Sequence, residues 1–137
     1  MSTVHTTNYA NTFIAAADDC QVHTGVVPPQ KTPATIARLH YDLISAAPYG
    51  HSSDEVIFMT HAVKQGIPED ELDEAREQFF SKGQPCLRSS PLGKNYGWGI
   101  HSDAEGRVAI YAAGSPDYQK FLTDPTVTQL KAMRSQR

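Results

Sequence analysis

The chain has 137 residues, of which 39% are hydrophobic and 20% charged, and its formal net charge is −3. That balance fits one packed domain and excludes disordered and fibrous classes. Wholly apolar runs such as Val56–Met59 fall far below the ~18 residues that cross a bilayer, and Met1–Asn8 shows no basic region followed by an apolar one, so the expectation is a cytoplasmic protein without membrane contact.

The first ordered element expected is a short strand within Asn11–Ala17, after the polar lead His5, Thr6, Thr7 and Asn8. Gly25–Pro33 contains three prolines and reads as a loop, because proline cannot sit inside a helix. Thr32 and Pro33 have the order of an N-cap and first-turn residue. A helix is therefore predicted from there to Pro48, burying Ile36, Leu39, Leu43 and Ala47 at steps of three and four, with Arg38 and Asp42 paired outside.

Ser52-x-x-Glu55 has the spacing of a capping box, and Gly66 suits the left-handed position that closes a helix. The helix between them carries Val56, Ile57, Phe58, Met59, Ala62 and Val63 around much of its circumference, the pattern of a central buried helix. A third helix is predicted from Pro68 to Phe80. Its acids lie in the first turns, where the helix dipole favours them, and Leu72, Ala75 and Phe79 face inward.

Beyond Gly83 the pattern changes to strands, first around Gln84–Ser89. Tyr96, Trp98 and Ile100 then alternate with Gly97, Gly99 and His101, and after Asp103–Gly106 come Val108 and Ile110 in alternation, the signature of a hairpin. Ser115-Pro116 opens a further helix through Leu122, Asp124-Pro125 interrupts it, and Val127–Met133 is predicted to be helical again. The fold class expected is α+β: N-terminal helices packed in one layer on a small antiparallel sheet, with a C-terminal helix.

The charge is unevenly spread. Residues 54–81 carry eight acidic and two basic groups, and residues 82–137 carry eight basic and four acidic ones. Such polarity either steers an anionic ligand toward the basic half or is an ordinary solvated surface. Phe79–His101 concentrates glycine, proline, aromatics, basic residues, a cysteine and a histidine, and candidate chemistry is sought there.

If Gln84–Ser89 is a strand, Gln84, Cys86 and Arg88 share a face, and the guanidinium favours the Cys86 thiolate. His101 on the following hairpin is then a candidate base for a Cys86 nucleophile. The bland reading keeps Cys86 as a small buried apolar residue and His101 as a structural one. Gly97 and Gly99 leave one strand face bare, open to a helix, a backbone or a flat ligand. Around it Arg88, Lys94 and Arg107 offer positive charge, Ser89 and Ser90 hydroxyls, and Tyr96 and Trp98 flat contact area, a set suited to an anionic small molecule.

No phosphate loop is present, since Gly93-x-x-x-Gly97 leads into a strand. The six histidines lack His-x-x-x-His or Glu-x-x-His helix spacing, and Cys20 and Cys86 lie outside any Cys-x-x-Cys pair. Free thiols, no disulfide, no metal and no cofactor are expected. Lys131, Arg134 and Arg137 form a basic end, but the acidic overall balance argues against nucleic acid.

His5-Thr-Thr-Asn-Tyr9, Asn11-Thr-Phe-Ile14, Phe80-Ser-Lys-Gly-Gln-Pro-Cys86, Tyr96-Gly-Trp-Gly-Ile-His-Ser-Asp103 and Lys131-Ala-Met-Arg134 resemble a family of small single-domain proteins of unknown function. The resemblance spans nearly the whole chain. It implies one unit and carries no activity to transfer. Three expectations stand: a binding protein or small enzyme for an anionic small molecule, with Arg88, Lys94, Tyr96, Trp98 and His101 lining a pocket between sheet and helices; a thiol-dependent enzyme using Cys86; or an interaction module built on the acidic 68–80 helix or the basic end.

Overall fold

The computed structural model describes residues 5–135. In chain order its elements are β1 (Thr12–Ala15), α1 (Ile36–Ala46), α2 (Ser53–Gln65), α3 (Leu72–Phe79), α4 (Pro91–Asn95), β2 (Trp98–Ser102), β3 (Val108–Ala112), α5 (Pro116–Leu122) and β4 (Thr128–Lys131). This is an α+β arrangement. The four strands lie in the order β3-β2-β1-β4, with β2 antiparallel to both its neighbours and β4 parallel to β1.

The sheet is therefore mixed, which corrects the expected antiparallel sheet. Val127–Met133 is not helical. Asp124 and Pro125 turn the chain back along β1, where Thr128 N–H donates to Asn11 O and Ala132 N–H to Ala15 O. The neighbouring strand supplies the backbone partners a helix would otherwise provide, and the β-branched Val127 and Thr128 suit that edge.

Register divides the side chains into two groups. Phe13 pairs with His101 and His101 with Ala109, whereas Ile14 pairs with Ile100 and Ile100 with Ile110. Ile14, Ile100 and Val108 face Ile44, Val56, Leu87 and Leu92 in the larger core. Phe13 and Ala15 face Tyr118 of α5, with Phe121 stacked on Phe13 at 5.2 Å. Helices thus cover both sheet faces, a correction to the single helical layer. Between α2 and the end of α3, a third cluster gathers Phe58, Ala62 and Phe80.

The hairpin forms as its alternation predicts. Its turn is held by Asp103, whose Oδ1 accepts from Glu105 N–H and Arg107 N–H, both at 2.9 Å. The bare face at Gly99 is filled from within: a Cβ there would strike the rings of Phe13 and Tyr118. At Gly97, φ is +74° and Thr24 O lies where a Cβ would be, so the 22–26 loop occupies that side.

Helix α2 carries the capping box, Ser52 Oγ accepting from Glu55 N–H and Glu55 reaching back to Ser52 N–H, and ends at left-handed Gly66. It is not buried all round, since Met59 and Val63 are exposed. Helix α1 begins later than expected, capped by Thr35. Its buried stripe is Ala37, His40 and Ile44, while Ile36 is exposed. The stripe is rotated by one residue, and a histidine takes a core position. Gln84–Ser89 forms no strand: Leu87–Ser89 is a single 3-10 turn that leads into α4. Pro85, Pro91 and the Ser90 cap favour that turn over an extended ladder.

The N-terminal segment is clamped to the start of α2. Asp54, 8% exposed, accepts from Thr6 Oγ1 at 2.7 Å, Thr7 N–H at 2.6 Å and Thr7 Oγ1 at 2.7 Å, and Asn8 Oδ1 accepts from Asp54 N–H. Asp54→Ala leaves several of these groups buried without partners and is expected to lower unfolding free energy in urea by about 3 kcal/mol, with Asp54→Asn losing less. Gly99→Ala is expected to cost about 2 kcal/mol in the same assay, because the Phe13 and Tyr118 rings must move.

Candidate cavity between the helices and the 84–91 segment

The segment after α3 runs past α1 and α2 and encloses with them a cavity of about 470 Å³. Its walls are mostly apolar, with Ile36, Ile57, Phe79, Pro85 and Pro91 among them. Ligand sites typically occupy about 300–1,000 Å³ and combine apolar walls with a few placed polar groups. The polar groups here are His40, Thr60, His61, Gln65, Gln84, Cys86, Ser89 and Ser90, with Lys64 at the rim. Several are already engaged: Thr60 Oγ1 donates to Val56 O at 2.8 Å and Ser89 Oγ to Met133 Sδ at 3.2 Å.

His40 is 6% exposed, and its Nδ1 lies 2.8 Å from Ser90 Oγ. Ser90 caps α4 and accepts from Leu92 N–H. Ser90 Oγ has a second lone pair, so its bond with His40 Nδ1 runs either way with the tautomer; with the hydroxyl hydrogen donated to Nδ1, both of those atoms are satisfied. The proton of the neutral ring is then on Nε2. Among the described residues Nε2 has no hydrogen-bond partner, yet it is not a sealed atom. His40 is among the residues lining the cavity, and in that tautomer its N–H has no partner among the described residues. Burial lowers the His40 pKa to about 4, so the ring is neutral at pH 7 and donates without acting as a cation.

Cys86 lies in the same wall, half-buried, with Sγ 3.3 Å from Tyr9 Oη. Tyr9 is raised above the ordinary phenol value, first by its hydrogen bond to Cys86 and then by burial. The phenol keeps its proton and is available to donate to sulfur. His61 leans on Phe79 at 4.5 Å between centroids. Both cysteines are free thiols, and Cys20 is buried in the main core.

The other residues selected from sequence lie elsewhere. Arg88 Nε donates to Lys131 O at 2.8 Å, tying the 3-10 turn to β4, and the shared strand face with Cys86 does not exist. Lys94 lies in α4, and Tyr96 closes that helix and precedes β2. Trp98 donates from Nε1 to Val26 O at 2.8 Å and leans on Tyr41. It lines a smaller groove of about 310 Å³ that carries no basic side chain among the described residues.

His101 points to the α5 face, stacked on Phe121 at 4.2 Å, with Nδ1 2.8 Å from Tyr49 Oη, itself 2.8 Å from Tyr111 Oη. Burial lowers His101 and raises Tyr49. The sheet lies between His101 and Cys86, so the structure does not bring them together. None of Arg88, Lys94, Tyr96, Trp98 or His101 lines the larger cavity.

His40, Thr60 and His61 escape the sequence reading, whereas Ser89 and Ser90, expected as hydroxyls beside the bare glycine face, line this cavity. A signal for His40 exists: Ala37, His40, Tyr41 and Ile44 recur at helical spacing. At the basic end, Lys131 and Arg134 both pair with Asp18, at 2.8 and 3.5 Å. Arg137 lies outside the described residues. Among those described, no three His, Cys, Asp or Glu side chains cluster as a metal site requires, and no helix is long and apolar enough to cross a membrane.

His40 gives the site a pH signature. Its folded pKa of about 4 lies below the unfolded value of about 6.5, so the unfolded chain takes up the proton first and stability falls as pH drops through that window. The loss is expected to total about 3 kcal/mol and to level off below the folded pKa. His40→Gln, which keeps an acceptor for Ser90, removes this share; urea titrations of both proteins across the window measure the difference.

Neither the curated proteins nor the solved structures compared with the chain yield a match. The model of a family of unknown function does match, over residues 4–137, and the chain accordingly belongs to that family, DUF6157.

Proposed function

We propose that the protein binds an anionic small molecule with an apolar body, held in the cavity between α1, α2 and the 84–91 segment. The observation that carries this reading is His40: a buried, neutral imidazole in the lining of a mostly apolar cavity, with Nε2 lacking a partner among the described residues. An unpartnered donor in such a place costs free energy, and an acceptor on a ligand recovers it. Ile57, Phe79 and Pro91 offer the apolar contact. At the rim, exposed Lys64 donates to Ala34 O and retains further N–H groups for an anionic end.

A second reading, a thiol-dependent activity, draws on Cys86 in the same wall. Its hydrogen-bond neighbour is Tyr9, and neither Arg88 nor His101 is needed for it.

The binding reading is tested with 1-anilinonaphthalene-8-sulfonate, whose aromatic body and sulfonate have the required chemistry. In a Cys20→Ser background one equivalent is expected to bind with enhanced fluorescence. N-ethylmaleimide on Cys86 fills the cavity and abolishes the signal, and Lys64→Glu weakens binding roughly fivefold. Fluorescence unchanged by alkylation of Cys86 overturns the reading.

A further inference from the structure

The cavity combines three features that a simple binding site does not need together. It has a soft nucleophile, Cys86 Sγ, in its wall beside the Tyr9 hydroxyl at 3.3 Å. It has His40, a side chain more than nine-tenths buried, whose Nε2 has no partner among the described residues. Its remaining walls are chiefly hydrocarbon, and Ile36, exposed at 46%, extends the apolar surface to the mouth.

A sugar, nucleotide or amino acid would leave most of its polar groups unpaired among Ile57, Phe79, Pro85 and Pro91. A hydrocarbon chain ending in a carbonyl sets its methylenes against those walls and its acceptor against His40. The thiol adds a requirement for an electrophilic carbon at that carbonyl, and the cationic rim at Lys64 suits an anionic carrier outside. Acyl thioesters of anionic carriers satisfy all of these.

Building on the binding reading above, we propose that Cys86 accepts an acyl group from an acyl thioester whose hydrocarbon chain occupies the cavity and whose carbonyl oxygen accepts a hydrogen bond from His40 Nε2–H. Cys86 Sγ attacks the carbonyl carbon and forms a new carbon–sulfur bond. The charge that develops on oxygen is stabilised by the His40 donor, as in an oxyanion hole. The bond from that carbon to the carrier sulfur then breaks. The Cys86 proton ends on the departing carrier thiol, so one thioester replaces another and no oxidant or reductant is required. His40 serves as donor and not as base, because its Nε2 already carries the proton. The Tyr9 hydroxyl donates to the Cys86 sulfur before attack and positions it.

The test uses the full chain as Cys20→Ser, incubated with octanoyl-CoA and followed by intact mass. One octanoyl group is expected, released by neutral hydroxylamine and absent from the Cys20→Ser/Cys86→Ser protein. Acetyl-CoA, which lacks the chain, is expected to react at least about tenfold more slowly, since several buried methylenes separate the two. That comparison leaves His40 in place and stands even if its variants misfold. His40→Phe is expected to slow transfer roughly a hundredfold, with partial recovery in His40→Gln, which restores an N–H.

No adduct, equal rates for the two acyl groups, or an undiminished rate in folded His40→Phe overturns the proposal. Dye that binds in the cavity of a protein that never becomes acylated overturns acyl transfer and leaves the binding reading standing. Failure of the dye to bind removes both.

Discussion

Burial of β1 on every side is the constraint from which the molecule is built. All four of its residues are buried, one edge is taken by β2 and the other by β4, and its faces lead into two different cores through Ile14 and Phe13. A strand so enclosed has no tolerance for a one-residue slip, because Phe13 and Ile14 would exchange faces. Its register fixes that of β2, and Gly99 then lies where Phe13 and Tyr118 need the space. The return of the chain as a parallel edge strand follows from the same demand, since an uncovered β1 edge would leave buried backbone groups without partners.

The cavity follows from how the helices meet that sheet. Helix α1 turns Ala37, His40 and Ile44 inward, and only the imidazole among them needs a polar partner. Ser90 provides it, and Ser90 is available because it is already fixed as the cap of α4. One hydrogen bond therefore links α1 to the segment that carries Cys86. The same bond commits Nδ1 and leaves Nε2 without a partner among the described residues. A leucine in place of His40 would satisfy the core equally well by area and would leave the cavity without a directed donor. The lowered pKa of the ring records that burial opposes its charged form, so the imidazole stays neutral in the wall.

The sequence was legible where local rules decide. The capping box at Ser52 and Glu55, the left-handed Gly66, the Asp103–Gly106 turn and the Ser115-Pro116 helix start all rest on contacts within a few residues, and the structure has them. It was illegible where distant chain settles the outcome. Leu87–Ser89 turns instead of extending because α4 must begin at Ser90, and Thr128–Lys131 extends because β1 is beside it. The phase of α1 was missed because aliphatic residues outvote a histidine in any hydrophobic count, while the sheet accepts Ala37 and Ile44 at the price of exposing Ile36. The candidate site suffered most: Cys86 was read correctly as belonging to an unusual segment, but its neighbours come from α1 and α2, some 25 to 50 positions away in sequence, and no spacing rule reaches so far.

The N-terminal phrase His5–Tyr9 acquires a physical meaning from these contacts. Thr6, Thr7 and Asn8 use their polar groups on the first turn of α2, and His5 N–H donates to Phe80 O. That leaves Tyr9 as the residue whose ring reaches the main core and whose hydroxyl meets Cys86. The buried Asp54 is what makes this possible: a carboxylate at a helix start is favoured by the dipole, and it holds the preceding strand lead in one conformation. The position of the Tyr9 hydroxyl is thus set by a clamp made at Asp54 and not by Tyr9 itself. A thiol held by a phenol on one side of the cavity wall and a donor held by a serine on another are both products of helix N-termini, α2 through Asp54 and α4 through Ser90. A first-turn carboxylate in α2 and the capping serine of α4 thus orient the two side chains on which the proposed chemistry depends.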